Sequence, residues 1–326
     1  MVWQIVNGIM NLKSNTDKDL CDVIRDRLSN ALLPTASEDS IQEFLDSFKS
    51  RAFHVDEILG VVNFLREWHD PLILTQESTL WLGQSGSQFK NLPCVLPAVL
   101  FILASAGVSC IADCGSDWAL PSPQGTLENL GFAFIQLNDF FPRYERLLRF
   151  WQTSRDSKCI FDLAKLTLNP SNAKRYMLGT FDKHHLLTLT KVMQSLEMQQ
   201  GILVSSLDGI DGFTPSSDSH VVQQINNEIH QFIFDPRNFE IPVALWQNLK
   251  LPTQDRIEDR IQAALSESHD DLDQMIQMQA SWAFVASGKA TSFKEGNEMV
   301  LESILSTRAL QKYLEFQHWK KSSILV

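Results

Sequence analysis

The first residues with a recognisable chemical use are the two glycines of Gly83-Gln84-Ser85-Gly86-Ser87. Glycine lets backbone N–H groups approach an anion closely, and the serine hydroxyls add further donors. A G-x-x-G spacing is also typical of a plain turn between a strand and a helix. The pattern by itself therefore leaves a phosphate-binding loop and a structural turn as open interpretations.

Four aspartates in two glycine-bearing segments could bind a metal ion. Asp208 and Asp211 lie in one segment, and Asp113 and Asp117 lie on either side of Gly115 in the other. Carboxylate oxygens are the ligands that Mg²⁺ prefers in proteins. Asp-Gly is equally typical of a turn, and loop carboxylates are commonly solvated. Each segment thus keeps a metal-binding and a structural interpretation.

A basic stretch interrupts an otherwise acidic chain. The whole protein has a formal net charge of -11, whereas residues 141–183 contain nine Lys or Arg against four Asp or Glu, a local charge of +5. Arginines three residues apart form one ridge on a helix, and such a ridge can bind the phosphates of a nucleic acid. The alternative is a solvated helix face. The candidate anion-binding residues are Arg143, Arg146, Arg149, Arg155, Lys158, Lys174 and Arg175.

Length and composition are typical of a soluble globular protein. The 326 residues are 44% hydrophobic and 21% charged, which suits one large domain or two smaller ones. The five cysteines form no C-x-x-C pair, so we expect reduced thiols in a cytoplasmic protein, without a disulfide framework or zinc site. Residues 92–112 are uncharged and about as long as a membrane span, but their prolines and Gly107 predict a buried helix followed by a buried strand. We expect no membrane association.

The elements that must position these residues fall into two parts. Residues 17–68 contain apolar positions three and four apart and predict three amphipathic helices. After Pro71, apolar β-branched runs alternate with helical stretches, which predicts an α/β domain with a largely parallel sheet. We therefore predict a helical domain over residues 1–70 and an α/β domain over residues 71–326. The predicted strands are 72–74, 109–113, 132–136, 176–180, 201–205 and 231–235, and the predicted helices between them include 93–106, 142–152 and 184–198.

Six segments follow one another along the chain in a telling order: EILGVVNFLREW, LGQSGSQFK, ASAGVSCIADCGS, GTLENLGFAF, FDLAKLTLNPSNAKRYMLGTFDKHHL and GILVSSLDGIDGF. This order resembles the anthranilate phosphoribosyltransferase family of tryptophan biosynthesis, also called glycosyltransferase family 3, from about residue 17 to residue 316. The resemblance implies a helical domain that mediates homodimers. It also implies an α/β domain of the nucleoside phosphorylase/phosphoribosyltransferase type, with the active site in a cleft between the two domains.

The resemblance further implies a transfer of phosphoribosyl from its pyrophosphate donor to the amine of anthranilate, with Mg²⁺ held by carboxylates. The family's donor loop has the pattern GTGGD, and here Gly83, Ser85, Gly86 and Ser87 remain as a weakened phosphate site. The family's basic loop has the pattern KHGNR, and of it only Gly115 remains. Asp113 and Asp117 stand where cations would face phosphate, and like charges there oppose binding.

Two further departures concern the metal and the acceptor. Asp211 matches the Asp of the family's metal-binding Asp-Glu pair, but Gly212 replaces the Glu. One carboxylate rarely suffices for Mg²⁺, although Asp208 could supply a second. Lys158 stands at the basic position that grips the carboxylate of the amine substrate, and Asp162 replaces a nearby asparagine. Lysine does not reproduce the bidentate grip of arginine.

With these departures, the chain resembles a divergent branch of the family that lacks the donor motifs and binds nucleic acid nonspecifically as a dimer. We therefore predict a homodimeric family member that binds an anionic ligand, nucleic acid or a nucleotide, without anthranilate transfer. Whether it is an enzyme stays open. The alternatives are an active glycosyltransferase or phosphoribosyltransferase with an altered acceptor and Mg²⁺ at Asp211, and a purely structural dimer.

Overall fold

A computed structural model describes residues 20–31, 37, 39, 53–67, 72, 79–85, 92–114, 118, 123–137, 160–250, 256–266 and 270–324 of the protein. The chain divides into two compact units. One comprises residues 1–70 and 138–170, and the other comprises residues 71–137 and 171–326. The division predicted from sequence places 138–170 in the α/β part, whereas here they group with the N-terminal residues. The dimerisation role of the helical unit stays a prediction.

The helices and strands within the described residues are, in chain order, α1 (Leu20–Ala31), α2 (Val55–Arg66), β1 (Leu80–Gln84), α3 (Leu96–Ser105), β2 (Cys110–Asp113), α4 (Pro123–Leu130), β3 (Phe132–Ile135), α5 (Ile160–Thr167), β4 (Arg175–Gly179), α6 (Leu186–Ser195), β5 (Gln200–Ser206), β6 (Ser219–Ile225), β7 (Glu228–Phe234), α7 (Ile257–Ala264), α8 (Asp271–Ala286), α9 (Phe293–Leu305) and α10 (Arg308–Ile324). Short 3₁₀ turns occupy Lys183–His185, Pro236–Phe239 and Trp246–Leu249.

The first unit is helical, and α2 packs against both α1 and α5. A Cβ atom on Gly60 of α2 would lie only 2.8 Å from the carbonyl oxygen of Cys21 in α1, so glycine allows the two helices to approach closely. At the end of α2, the guanidinium of Arg66 donates hydrogen bonds of 3.0 and 2.7 Å to the carbonyl oxygen of Leu168. Burial lowers the pKa of Arg66. This bond ties the residues after α5 to the N-terminal helices.

The second unit contains a seven-stranded sheet in the order β3-β2-β1-β4-β5-β6-β7. The strands from β3 to β5 are parallel, while β6 and β7 form an antiparallel hairpin beside β5. The predicted α/β class with a largely parallel central sheet is confirmed. The predictions of strands at 109–113, 132–136, 176–180, 201–205 and 231–235 match β2, β3, β4, β5 and β7 to within a few residues.

Several sequence predictions fall elsewhere. The strands β1 and β6 are absent from the sequence prediction, and Gly83 lies within β1 rather than in a loop after it. The predicted strand at 72–74 and helix at 142–152 lie outside the described residues, apart from Leu72. The predicted helices at 93–106 and 184–198 are α3 and α6, each shorter at both ends. Among the described residues, Cys21, Cys94, Cys110 and Cys114 are free thiols.

Both faces of the parallel strands are covered. Leu82 and Met177 face a large core that contains α3, whereas Trp81 and Tyr176 are fully buried on the opposite face. Alternating burial on two faces is typical of parallel sheets. The apolar segment at 92–112 forms the buried helix α3 and the strand β2, as predicted. Within the residues described, none of the helices combines the length and apolarity that a membrane crossing requires.

Candidate functional site

The sheet has one topological switch point, between β1 and β4. From β1 the chain proceeds to β2 and β3 on one side, and it returns to β4 on the other side of β1. In open α/β sheets, ligands bind outside the carboxyl ends of the strands at such a point. The carboxyl ends of β1 and β4 meet where Gln84 pairs with Gly179 and where the N–H of Ser85 donates a 3.0 Å bond to the Gly179 carbonyl.

A third segment, the loop after β5, crosses this switch point. The side-chain amide of Gln84 donates a 3.1 Å hydrogen bond to the backbone carbonyl of Asp211. A methyl group on Gly179 would overlap the same carbonyl, so only glycine permits the loop to lie against β4. We use the name β1–β4 crevice for the place at the sheet edge where Gly83, Gln84, Ser85, Gly179 and Asp211 come together.

The hydroxyl of Ser85 stands out within the crevice. Its oxygen is buried and has no hydrogen-bond partner among the described residues. A buried hydroxyl without a partner costs about 1–3 kcal/mol, which makes it a natural donor for a bound anion. Ser85 is one of the predicted phosphate-binding residues. Gly86, Ser87 and Gly115, the others beside Gly83, lie outside the described residues.

Asp208 shapes the loop after β5. Its carboxylate accepts hydrogen bonds from the hydroxyls of Ser206 and Ser216 and from the N–H of Ile210 at 3.3 Å. Gly209 follows with a φ of 84°, the left-handed backbone of a tight turn. With three donors already bound, Asp208 fits the structural interpretation that the sequence left open. It holds the turn that presents Asp211.

Asp211 and Gly212 occupy the positions of the family's metal-binding pair. Asp211 is 5% exposed. A methyl group on Gly212 would overlap the side-chain amide of Gln279 in α8, so this amide fills the space where a longer side chain at 212 would begin. The amide nitrogen of Gln279 is itself buried without a hydrogen-bond partner in the described part of the chain. Gln279 was not anticipated from the sequence.

Magnesium does not fit this arrangement. Mg²⁺ requires octahedral oxygen coordination with carboxylates in its inner or outer shell. Gly212 offers no carboxylate, and Asp208 is committed to its three donors. Asp218, at the end of the same loop, is paired with Arg237 at 3.2 Å. No cluster of three or more His, Cys, Asp or Glu that could hold a metal occurs within the described ranges.

The neighbouring strand end carries an aspartate and two thiols. Asp113 ends β2, and its carboxylate accepts a 3.4 Å hydrogen bond from the N–H of Leu137. The pKa of the Cys114 thiol is raised, chiefly by burial and then by the neighbouring Cys94 and Asp113. The Cys94 thiol lies 3.8 Å from the side-chain oxygen of Gln84. This side of the crevice therefore offers one carboxylate and two thiols but no cation among the described residues; Asp117 lies outside them.

The two described members of the predicted basic set, Lys174 and Arg175, lie away from the crevice. Arg175 begins β4 opposite Leu80 and Gln200, at the amino-terminal edge of the parallel strands and thus at the far end from Gly179. Lys174 lies beside it, 3.5 Å from the carboxylate of Glu197. The remaining basic candidates, Arg143, Arg146, Arg149, Arg155 and Lys158, lie outside the described residues.

Sequence reasoning identified Gly83, Ser85 and Asp211 but missed the groups that bring them together. Gln84 and Gly179 belong to the motifs LGQSGSQFK and YMLGT, but the sequence assigned neither residue a role of its own. Gln84 and Asp211 are 127 positions apart. The only available signal was that both motifs follow apolar runs that can end at one edge of a parallel sheet.

Comparisons with known proteins show which family the chain resembles. The profile of "Glycosyl transferase family, a/b domain" matches residues 124–310. Among similar curated proteins, the anthranilate phosphoribosyltransferase of Geobacillus sp. (strain WCH70) is 23% identical over 85% of this chain and 87% of its own length. That of Acinetobacter baylyi is 22% identical over 95% of each chain.

Solved structures show the same fold. The anthranilate phosphoribosyltransferase from Thermus thermophilus superposes with a TM-score of 0.80 at 20% identity, covering 92% of this chain and 94% of its own. The Saccharomyces cerevisiae enzyme, in complex with PRPP and Mg, also gives a TM-score of 0.80, at 15% identity, over 100% of this chain and 99% of that one. The fold thus extends over the whole chain.

Proposed function

This chain belongs to the glycosyl transferase family with the a/b domain, as its sequence resemblance predicted, and from that premise we propose that it binds a phosphorylated sugar or nucleotide in the β1–β4 crevice without transferring phosphoribosyl to anthranilate. The observation that carries this proposal is the pairing of Gly212 with Gln279: an uncharged amide fills the space beside Asp211 where a second carboxylate would extend.

The crevice supports anion binding through neutral donors. The hydroxyl of Ser85, which has no hydrogen-bond partner within the described residues, lies at the carboxyl end of the central strands. Neutral donors of this kind bind phosphate oxygens without requiring a cation. Gly179 and the Gln84 bond keep the three segments in fixed positions, so little ordering is needed on binding.

The same crevice argues against transfer to anthranilate. Phosphoribosyl transfer requires that negative charge on the departing pyrophosphate be neutralised by cations. Gly212 removes one carboxylate of the family's metal-binding pair, and Asp113 adds a negative charge where the family pattern has a basic residue. Within the described residues, a bound pyrophosphate would therefore meet less positive charge than its departure requires.

Calorimetry and an activity assay with PRPP, the phosphoribosyl pyrophosphate donor, test the two parts of the proposal, which are binding in the crevice and the lack of transfer to anthranilate. We expect PRPP to bind with an affinity that differs by less than about threefold between excess Mg²⁺ and chelator, and we expect no product from PRPP and anthranilate. Ser85→Ala should weaken PRPP binding by about tenfold through loss of one donor. Magnesium-dependent PRPP binding together with anthranilate turnover by the parent protein would overturn the proposal.

A double variant sharpens this test. Gly212→Glu combined with Gln279→Ala restores a second carboxylate and removes the amide from its space. We expect Mg²⁺ then to raise PRPP affinity by about tenfold or more. Gln279→Ala alone is the matched control, because it opens the space without adding a charge. Equal magnesium dependence in the control and the double variant would contradict the role given to residue 212.

The basic stretch supports a second candidate, nucleic-acid binding by a homodimer. Residues 141–183 carry a charge of +5 in a chain of -11, and phosphate contacts dominate nonspecific nucleic-acid affinity. Arg146→Glu with Arg149→Glu should weaken DNA binding by about tenfold or more at low salt without lowering the melting temperature. Equal affinities of variant and parent in a gel-shift titration would reject this candidate.

A further inference from the structure

Another candidate site lies on the antiparallel end of the sheet. It is a groove of about 460 Å³ between the start of α6 and the hairpin of β6 and β7. We call it the β7 groove. Its walls include Lys183, His184 and Leu187 on one side, and His220, Val222 and Ile233 on the other. None of the residues that define the crevice lines it.

The groove exists because α6 covers only part of the sheet. In the hairpin, His220 pairs with Ile233 and Val222 pairs with Gln231, so these four residues share one face. The alternate residues Phe232 and Phe234 point to the other face, where their rings lie 5.7 and 5.4 Å from Trp282. The helix α6 contacts β5 and β6, and within the described residues Ile233 of the outermost strand β7 stays exposed on the same face.

Apolar side chains are therefore left in contact with solvent. Ile233 is 58% exposed and Leu187 is 40% exposed, on facing walls of the groove. Val222, between them, is buried. Single exposed apolar residues are ordinary, but here six apolar residues line one groove of a size that suits a small ligand. The groove thus offers a binding surface for an apolar body.

Basic side chains occupy the groove as well. Lys183, His184 and His220 all line it, and the pKa of His220 is lowered by burial and then by the charges of Lys183 and His184. The nearby carboxylate of Asp182 accepts a hydrogen bond from the N–H of His184 and lies 3.6 Å from the imidazole of His185. Asp182 therefore holds the start of α6 in place. The ionisable side chains that line the groove are Lys183, His184 and His220, and all three are basic.

We infer that the β7 groove binds a small carboxylate with an apolar body. The carboxylate would lie among Lys183, His184 and His220, and the body would lie on Leu187, Val222 and Ile233. A monoanion fits better than a dianionic phosphate because lysine is the one permanently charged base of the lining and Asp182 would repel a second negative charge. This site is separate from the proposed function, and neither depends on the other.

Phenylbutyrate and its neutral amide, phenylbutyramide, are suitable probes for calorimetry with the full chain. We expect the carboxylate to bind and the amide to bind at least about tenfold more weakly, because only the carboxylate pairs with Lys183. Lys183→Gln and Ile233→Ser should each lower phenylbutyrate affinity by about tenfold. Lys191→Gln, an exposed lysine further along α6, and Ile225→Ser, an exposed residue elsewhere on the hairpin, are matched controls.

A pH series gives a readout that a structural role would not produce. Histidine is the side chain whose charge changes near neutral pH, so the imidazole of His220, which lines the groove, can add positive charge there as the pH falls. Phenylbutyrate affinity should rise as the pH falls, and His220→Gln should reduce that rise. Equal binding of acid and amide, or equal losses in the groove variants and their controls, would overturn the inference. Unchanged PRPP binding in the groove variants keeps the two proposals distinguishable.

Discussion

The β1–β4 crevice and the β7 groove belong to one sheet, but different atoms form them. In the crevice, backbone groups and an amide side chain lie in contact, and glycines at 179 and 212 leave room for those contacts. In the groove, exposed side chains on a helix and a hairpin face one another across open space. The comparison teaches that the crevice is rigid and intolerant of added atoms, whereas the groove accepts changes of side chain with little effect on stability.

The largest expected effect on stability is that of a substitution at Gly179. Gly179→Ala should destabilise the protein by about 2 kcal/mol or more, because the added methyl group meets the backbone of Asp211 rather than a movable side chain. Gly107→Ala is the control: its φ of 76° is unfavourable for alanine, but no atom lies within 4 Å of the new methyl group. It should cost about 1 kcal/mol. Urea unfolding measures both, and equal losses would show that the crevice is not close-packed.

Smaller effects on stability are expected for substitutions of two glutamines. Gln84→Leu removes the hydrogen bond to the Asp211 carbonyl and should cost about 1 kcal/mol, together with part of the PRPP affinity. Gln231→Leu, on the exposed strand β7, should change stability by less than about 0.5 kcal/mol. If the two variants unfold at the same urea concentration, the contrast between crevice and groove is wrong.

The smallest effect is a pH dependence at His220. Its pKa is lowered in the folded protein, so the unfolded chain binds a proton more readily and folding stability falls as the pH drops through the ordinary histidine range. His220→Gln should therefore flatten the loss of stability between about pH 7 and 5. Melting temperatures across this interval measure it. An unchanged slope would mean that the bases of the groove do not interact in solution.

The same contrast explains what the sequence could predict. The strands β2 to β5 and the helix α3 are strongly apolar and bounded by turn residues, so local patterns reveal them. The strand β1 carries Gly83 at its end, and β6 has paired polar residues at Gln223 and Gln224, so both lack a clear pattern. The sequence resemblance identified Gly83, Ser85 and Asp211 because each of them lies in a short segment that matches a motif of the family.

The remaining site residues depend on contacts between distant parts of the chain. The contact of Gln279 with Gly212 joins α8 to the loop after β5, and no local pattern indicates it. The β7 groove brings His184 to His220 through the packing of α6 on the hairpin. Neither pairing follows from composition or periodicity. Side chains that meet only after folding carry no signature in a single sequence.

The hydrogen bonds of Asp208 affect which substitutions the loop after β5 can tolerate during evolution. Because its three donors are serines and a backbone amide of the same loop, the loop keeps its course whether or not a cation is present. The loop therefore does not need a carboxylate at residue 212 to fold, although a side chain at that position would have to displace the amide of Gln279. A chain of this design can change its chemistry over generations and still inherit an intact scaffold.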